Sequence, residues 1–324
     1  MYVLMITSEW PTKAHPEWAS FIVKQVEGLI KTGINVEVFS FRGRKNPINY
    51  FTAWRRLQKL LRSKKFDLIH AQFGQSGILT FSSKLPWVVT FHGSDLEGYV
   101  SKNGNYTVGG KLLNRISRFV SKRAKEVILV SRSLARCLPA GLPYHVIPCG
   151  IDLDFFHPVA QSEARKKLGL SAQKRIILFV SPQIPVKRFD LAQKAVDLIK
   201  DRFDTELITL SGVSPDSMRL YLNAADVLLL TSKHEGSPTI LKEALACNLP
   251  VVAIRAGDIE ERIKNLEGCI ICQDDSALTI SKALTSVLSV PKRIHGRDRV
   301  SHLGLDSIEQ NIAAVYRKVL EERR

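Results

Sequence analysis

Short apolar runs alternate with amphipathic stretches along almost the whole chain, and past residue 150 the alternation starts again. In the first half the predicted strands are Tyr2–Thr7, Asn35–Ser40, Leu68–Ala71, Trp87–Phe91, Val127–Val130 and Tyr144–Ile147. Predicted helices at Glu17–Lys31, Tyr50–Lys64, Ser76–Ser83, Gly109–Ala124 and Arg132–Cys137 separate them. In the second half the strands are Ile176–Val180, Glu206–Leu210, Val227–Leu230, Val251–Ile254 and Cys269–Cys272. The helices there are Phe189–Lys200, Ser214–Asn223, Pro238–Cys247, Ile259–Asn265 and Ser276–Leu288. Strands joined by helical crossovers pair in parallel, with helices on both faces of the sheet. Pro148-Cys149-Gly150 and His157-Pro158 punctuate the chain and place a linker at about 148–160. The expectation is an α/β chain of two similar domains, 1–155 and 156–305, with parallel sheets whose facing strand ends form a central cleft. A last helix, 306–324, has no strand after it and is free to pack back on the first domain.

Charge divides the same way. Residues 1–150 hold 22 Lys and Arg against 8 Asp and Glu, whereas the remainder holds 25 against 23. Nearly all of the +16 net charge therefore sits in the first half, a field suited to an anionic partner. Two segments concentrate it. One carries Phe51, Trp54, Leu57, Leu60 and Leu61 at helical spacing with cations opposite; the other repeats this with Leu112, Leu113, Ile116, Phe119 and Val120. The apolar stripes are expected to pack on the sheet, leaving basic faces that can dock on an anionic membrane without inserting. No recognisable nucleic-acid module accompanies the charge, so no nucleic-acid partner is expected. No apolar run approaches the ~20 residues of a membrane span, and no basic leader precedes the first strand. These features suit a cytoplasmic protein, peripheral at the inner face of the plasma membrane. Cys269 and Cys272 form a C-x-x-C, but their strand-like surroundings and the lack of a second pair favour a buried apolar strand over a metal or redox site.

The chemistry concentrates in His234-Glu235-Gly236-Ser237-Pro238-Thr239-Ile240-Leu241-Lys242-Glu243. Ser237 reads as a helix N-cap and Pro238 as the first helical residue, leaving the amides of Thr239 and Ile240 at the positive end of the helix. That is a seat for phosphate. Glu235 stands before the seat and Glu243 about two turns along the helix. Two carboxylates flanking an anion site suit a nucleotide sugar: diphosphate on the amides, hexose at one Glu and ribose at the other. E-x7-E also arises by chance in solvated helices. Here its first half directly follows an apolar strand, where ligands of open α/β sheets gather.

With these segments the chain resembles glycosyltransferase family 4, the retaining, metal-independent group with the GT-B fold of two facing Rossmann-like domains. Asp67-Leu68-Ile69-His70-Ala71 and Val89-Thr90-Phe91-His92-Gly93-Ser94-Asp95 are similar to the family's acceptor-domain strand ends. Residues Ile147 to Pro158 are similar to its interdomain segment, and Ala225-Asp226-Val227, Glu235-Gly236-Ser237-Pro238 and Glu243-Ala244 to its donor signature. The resemblance implies that His92 and Glu235 contact the donor hexose at the catalytic centre. It implies further that Gly236, Ser237, Pro238, Thr239 and Ile240 offer backbone to sugar and diphosphate, that Glu243 binds ribose, and that Lys187 neutralises the leaving diphosphate. Ser211, Gly212 and Val213 would lie against the base, with Gln72 and Asp95 on the acceptor side. The co-substrate would be UDP- or GDP-linked, with no metal or other cofactor. The acceptor would be a lipid-linked molecule or polysaccharide precursor.

Some residues depart from the family pattern. Ser181-Pro182 stands where Gly-Arg is frequent, and Arg188 is the expected substitute for that arginine. The glycine-rich loop after the first strand reads Pro16-Glu17-Trp18-Ala19-Ser20, and Gln72 stands where a second histidine is common. A sugar-nucleotide epimerase on the same double-Rossmann architecture is the alternative reading.

Overall fold

The computed structural model describes residues 1–13, 15, 18–43, 46–98, 107–182, 184–290 and 292–322. Pro16 and Glu17 of the loop after the first strand, and with them the predicted helix start at Glu17, lie outside the described residues. The chain divides into two compact units, Met1–Gly150 with Leu305–Arg324, and Ile151–Gly304.

The first unit contains β1 (Tyr2–Thr7), α1 (Ser20–Lys31), β2 (Asn35–Ser40), α2 (Pro47–Ser63), β3 (Leu68–Gln72), α3 (Gly74–Gly77), β4 (Trp87–Phe91), α4 (Ser94–Glu97), α5 (Val108–Ser121), β5 (Glu126–Leu129) and β6 (His145–Val146). The strands form one parallel sheet in the order β2-β1-β3-β4-β5-β6. The order in which the chain adds strands reverses between β1 and β3, and the loops leaving those strands open a crevice at the carboxyl edge. Val3–Ile6 and the whole of β3 and β4 are buried, as a parallel sheet covered on both faces requires. The predicted helix 76–83 is instead α3 followed by a 3-10 turn at Ile78–Thr80. Asn46 accepts a hydrogen bond from the Ile48 amide (3.0 Å), so α2 starts before the predicted Tyr50.

The apolar stripes of α2 and α5 are a correction to expectation, because each divides. Leu57 and Val120 are fully buried in the core, but Phe51 is 57% exposed and Phe119 47%, with Trp54 and Leu112 exposed beside them. The stripes are wider than the strip of sheet available to bury them.

The second unit contains α6 (Gln161–Leu168), β7 (Arg175–Val180), α7 (Phe189–Asp197), β8 (Thr205–Leu210), α8 (Pro215–Ala224), β9 (Val227–Leu230), α9 (Thr239–Ala246), β10 (Val251–Ile254), α10 (Ile259–Ile263), β11 (Ile270–Cys272) and α11 (Ala277–Ser289). Its parallel sheet has the order β11-β10-β9-β7-β8, and the reversal falls between β7 and β9. A separate core of Ile177, Phe179, Val227, Leu229, Val252 and neighbours fills this unit. α6 escapes sequence reading because it is almost wholly polar and has no apolar stripe; among its side chains only Ala164 and Arg165 are buried. Cys272 is buried in β11 and Cys269 precedes it, and burial pushes their thiols up to about 11 and about 12.

The chain then returns to the first unit as α12 (Leu305–Glu321), which lies on α1. A side chain at Gly28 would run into Glu309 Cγ at 2.6 Å, so glycine is what lets the two helices approach. Tyr316 is fully buried, and its hydroxyl meets His70 Nδ1 at 2.5 Å.

Candidate functional site

The loops after β7 and β9 leave the second unit's sheet at its reversal point, and they bring Lys187 and Glu235 together. Lys187 Nζ lies 2.6 Å from Glu235 Oε1, with both side chains partly open to solvent. The Thr231 hydroxyl helps hold the β7 loop by donating to the carbonyl of Lys187 (2.7 Å). Arg188 has φ +53 and turns back: its Nε donates to the Thr231 carbonyl (2.8 Å) and its Nη1 pairs with Asp275 (2.5 Å). Those contacts set Arg188 to bracing the two loops. Its expected part at the diphosphate would require it to exchange the exposed Asp275 carboxylate for substrate.

α9 starts one residue later than the sequence indicates, and Ser237 is not its cap. Pro238 occupies the N-cap position with φ −63 and ψ 120, and no side-chain hydrogen bond caps the helix. Ser237 Oγ instead donates to Asp258 Oδ2 (2.8 Å) and accepts from Lys242 Nζ (3.3 Å). Thr239 and Ile240 are half-buried at the start of this uncapped helix, and Glu243, its fifth residue, is half-buried about one turn along it. Asp258 also accepts from Arg262 Nε (3.1 Å). Burial raises the Asp258 carboxyl above its ordinary range, opposed by the charges of Arg262 and Lys242 and by the hydrogen bonds from Ser237 and Arg262.

Gly257, at φ +56, completes this clasp. A β-carbon there would collide with the carbonyl oxygens of Gly236 and Glu235, so the loop after β10 lies directly on the loop that carries Glu235. Lys242, Asp258 and Arg262 do not emerge from sequence reading. One signal was present for Lys242: it shares a helix stripe with the buried Leu245 and Ala246, three and four positions on. The Asp226 of the quoted signature has a structural position instead. At the amino end of β9 it is buried against Arg165 (2.7 Å) and accepts from the Ile176 amide (2.6 Å), on the edge opposite Glu235. Ser211, Gly212 and Val213 follow β8, the sheet's edge strand; the first two are exposed and Gly212 has φ +66.

In the first unit His92 follows β4 and is held from behind. Gln72 Nε2 donates to Gln25 Oε1 (2.6 Å), which leaves Gln72 Oε1 to face His92 Nε2 at 2.8 Å. A carbonyl oxygen only accepts, so His92 carries its proton on Nε2, and Nδ1, 3.8 Å from Cys149 Sγ, is the basic nitrogen. His70 stands behind this string between Tyr316 and Thr90 (Nε2 to Oγ1, 2.7 Å), and burial pushes its pKa down to about 3.

Gln72 and Asp95 were both expected on the acceptor side, and the structure corrects both. Gln72 is fully buried and reaches only its protein neighbours. Asp95 is 2% exposed, and its carboxylate accepts the amides of His92 (2.9 Å), Gly93 (2.9 Å) and Gly74 (3.0 Å). Burial raises its pKa to about 6 against those amides. Asp95 thus ties the ends of β3 and β4 together. Among the described residues no group of three or more His, Cys, Asp or Glu could hold a metal ion, and no helix is long and apolar enough to cross a membrane.

Two α/β units, each built on a parallel sheet, are the GT-B fold. The family model Glycosyltransferase Family 4 matches residues 2–155, and Glycosyl transferases group 1 matches residues 203–299. The chain belongs to glycosyltransferase family 4. TuaC of Bacillus subtilis (strain 168), a glycosyltransferase assigned provisionally to teichuronic acid biosynthesis, is 29% identical over 244 residues. That match spans 68% of this chain and 60% of the Bacillus protein. Sucrose-phosphate synthase from Thermosynechococcus elongatus has the same fold, with a TM-score of 0.82 at 18% identity over 99% of this chain and 100% of that one. HepE from Anabaena in complex with UDP-glucose gives 0.73 at 16% identity over 98% and 100%.

Proposed function

We propose that the protein transfers a hexosyl group from a UDP- or GDP-linked sugar, with retention of configuration and without a metal ion. The reading is carried by the Lys187–Glu235 pair beside the uncapped start of α9. A nucleotide diphosphate supplies the anion for the amides of Thr239 and Ile240, which the helix leaves at its positive end. Lys187 neutralises the leaving diphosphate as the bond to the sugar carbon breaks, which is where fixed positive charge lowers a barrier most. Glu235, freed from Lys187, binds the hexose hydroxyls, and Glu243 binds the ribose. Glu235 acts as a binder, not as a glycosidase-type nucleophile. His92 is the first unit's proposed catalytic side chain. HepE in complex with UDP-glucose supports a nucleotide-sugar donor by shared fold.

The acceptor is a lipid-linked molecule or polysaccharide precursor at the inner face of the membrane, a reading supported by the first half's positive charge and by the likeness to TuaC. An epimerase is disfavoured, since both family models and the relatives described above are transferases. The test is a thermal-shift screen of nucleotide sugars, followed by donor turnover in EDTA and NMR of the product anomer. A donor that stabilises the fold, turnover that persists in EDTA and a retained anomer are expected. Full turnover by Glu235→Ala, or an inverted product, would sink the reading.

A further inference from the structure

The reversal point of the first unit's sheet holds a cavity of about 630 Å³. Ser8 and Glu9 enter it directly after β1, and Gln75 enters it after β3. Its walls are mostly apolar: Tyr50 from α2, Leu112 and Ile116 from α5, and Trp18. Its few polar groups are specific. The Arg42 guanidinium stacks over Trp18 at 4.9 Å from the ring centre and donates to Thr12 Oγ1 (3.2 Å), which leaves a permanent cation in the wall. Gln75 Nε2 donates to Ser8 Oγ (3.1 Å), which fixes the cavity's floor between the ends of β1 and β3. Burial raises the Glu9 carboxyl above its ordinary range.

The apolar wall continues beyond the cavity. Leu112, Ile116 and Phe119 fall at i, i+4 and i+7 on α5, and Tyr50 and Trp54 at i and i+4 on α2, so each helix carries one stripe outward. Along those stripes Phe51, Trp54 and Phe119 are exposed, and Phe81, just past the 3-10 turn at Ile78–Thr80, is exposed and meets Phe119 edge-on at 5.4 Å. Arg55, Lys59, Lys111 and Arg115 are exposed on the same two helices, and Arg123 sits over the Phe119 ring at 4.7 Å. Aromatic side chains beside cations are the composition that settles on an anionic bilayer.

We propose that this cavity takes the hydrocarbon chain of a phosphate-bearing lipid drawn from the membrane as the acceptor, with Arg42 on its phosphate. The inference rests on the glycosyl-transfer reading and specifies its acceptor as an amphiphile, not a small polyol phosphate. A polyol phosphate would leave the apolar walls wet.

The test uses the full chain without nucleotide sugar and titrates farnesyl phosphate, farnesol, glycerol 3-phosphate and inorganic phosphate, each below any micelle threshold, by calorimetry. Farnesyl phosphate should bind at least about tenfold more tightly than inorganic phosphate, with a negative heat-capacity change. Leu112→Asp, at a side chain 57% exposed and therefore tolerated by the fold, should weaken it about tenfold and leave inorganic phosphate unchanged. Arg42→Ala should abolish the preference for farnesyl phosphate over farnesol. Equal binding of farnesyl phosphate and glycerol 3-phosphate, or indifference to Leu112→Asp, would overturn the assignment. Nucleotide-sugar binding by the unaltered chain separates the two readings. Farnesyl phosphate binding without any nucleotide-sugar binding strikes the transfer reading alone, and nucleotide-sugar binding without farnesyl phosphate binding strikes only the acceptor assignment.

Discussion

Lys187 Nζ and Glu235 Oε1 are 2.6 Å apart across the sheet reversal of the second unit, although 48 residues of chain separate them. The ion pair stands where a sugar diphosphate is proposed to bind, so each partner must exchange the other for substrate. Because both side chains keep some solvent contact, the pair itself adds little to stability. Glu235→Gln and Lys187→Met should each lower kcat by roughly two to three orders of magnitude while shifting the melting temperature little. Steady-state transfer assays beside calorimetric melts check this. A variant that melts early yet turns over normally would assign the pair to structure.

Ser237 is held by Asp258 and Lys242, and Lys242 is only 1% exposed. Asp258→Asn removes the carboxylate that faces two buried cations, and should destabilise the fold by about 3–5 kcal/mol. Ser237→Ala leaves that charge balance intact and releases only the loop. It should therefore raise the KM for the donor with a smaller loss of stability. Urea unfolding and donor titration on the two variants separate these effects.

Gln72 gives His92 its tautomer, with Gln25 fixing the amide from the other side. Gln72→Leu keeps the volume but removes the acceptor, so His92 can move its proton between its two nitrogens. Transfer should slow about tenfold, and the histidine tautomer, read by nitrogen-15 NMR, should become mixed. Unchanged nitrogen shifts would show that Gln72 does not orient His92.

Glu309 on α12 is 1% exposed and has no hydrogen-bond partner for either oxygen. Burial raises its carboxyl to about 8, with Asp306 adding to the rise and Lys31 opposing it. The folded protein thus holds this proton more tightly than the unfolded chain, whose pKa is near 4.5. Its stability contribution is full below about pH 4.5 and is lost as pH rises through about 8. Glu309→Gln, which cannot ionise, should flatten that decline between pH 5 and 8 in chemical denaturation curves.

The sequence carried the architecture because parallel sheets need continuous apolar strands and helical crossovers, and both leave periodic marks. The runs Val3–Ile6, Ile176–Phe179 and Val227–Leu230 are buried in the sheets they announce. The loop from Glu235 to Glu243 was also legible, since a carboxylate after an apolar strand and before a helix start is a local pattern. The partners of that loop were not local. Ser237 satisfies every sequence criterion for an N-cap, yet a buried carboxylate 21 residues away outcompetes the Thr239-side amides for its hydroxyl. Asp95 and Gln72 looked like ligand-facing polar residues at strand ends. Only the packing of β3 against β4, with α1 over them, turned one into a backbone clasp and the other into the support of His92. Periodicity and local hydrogen-bonding chemistry are written residue by residue along the chain. Which buried polar groups meet depends on contacts between elements, and those exist only once the sheets have formed.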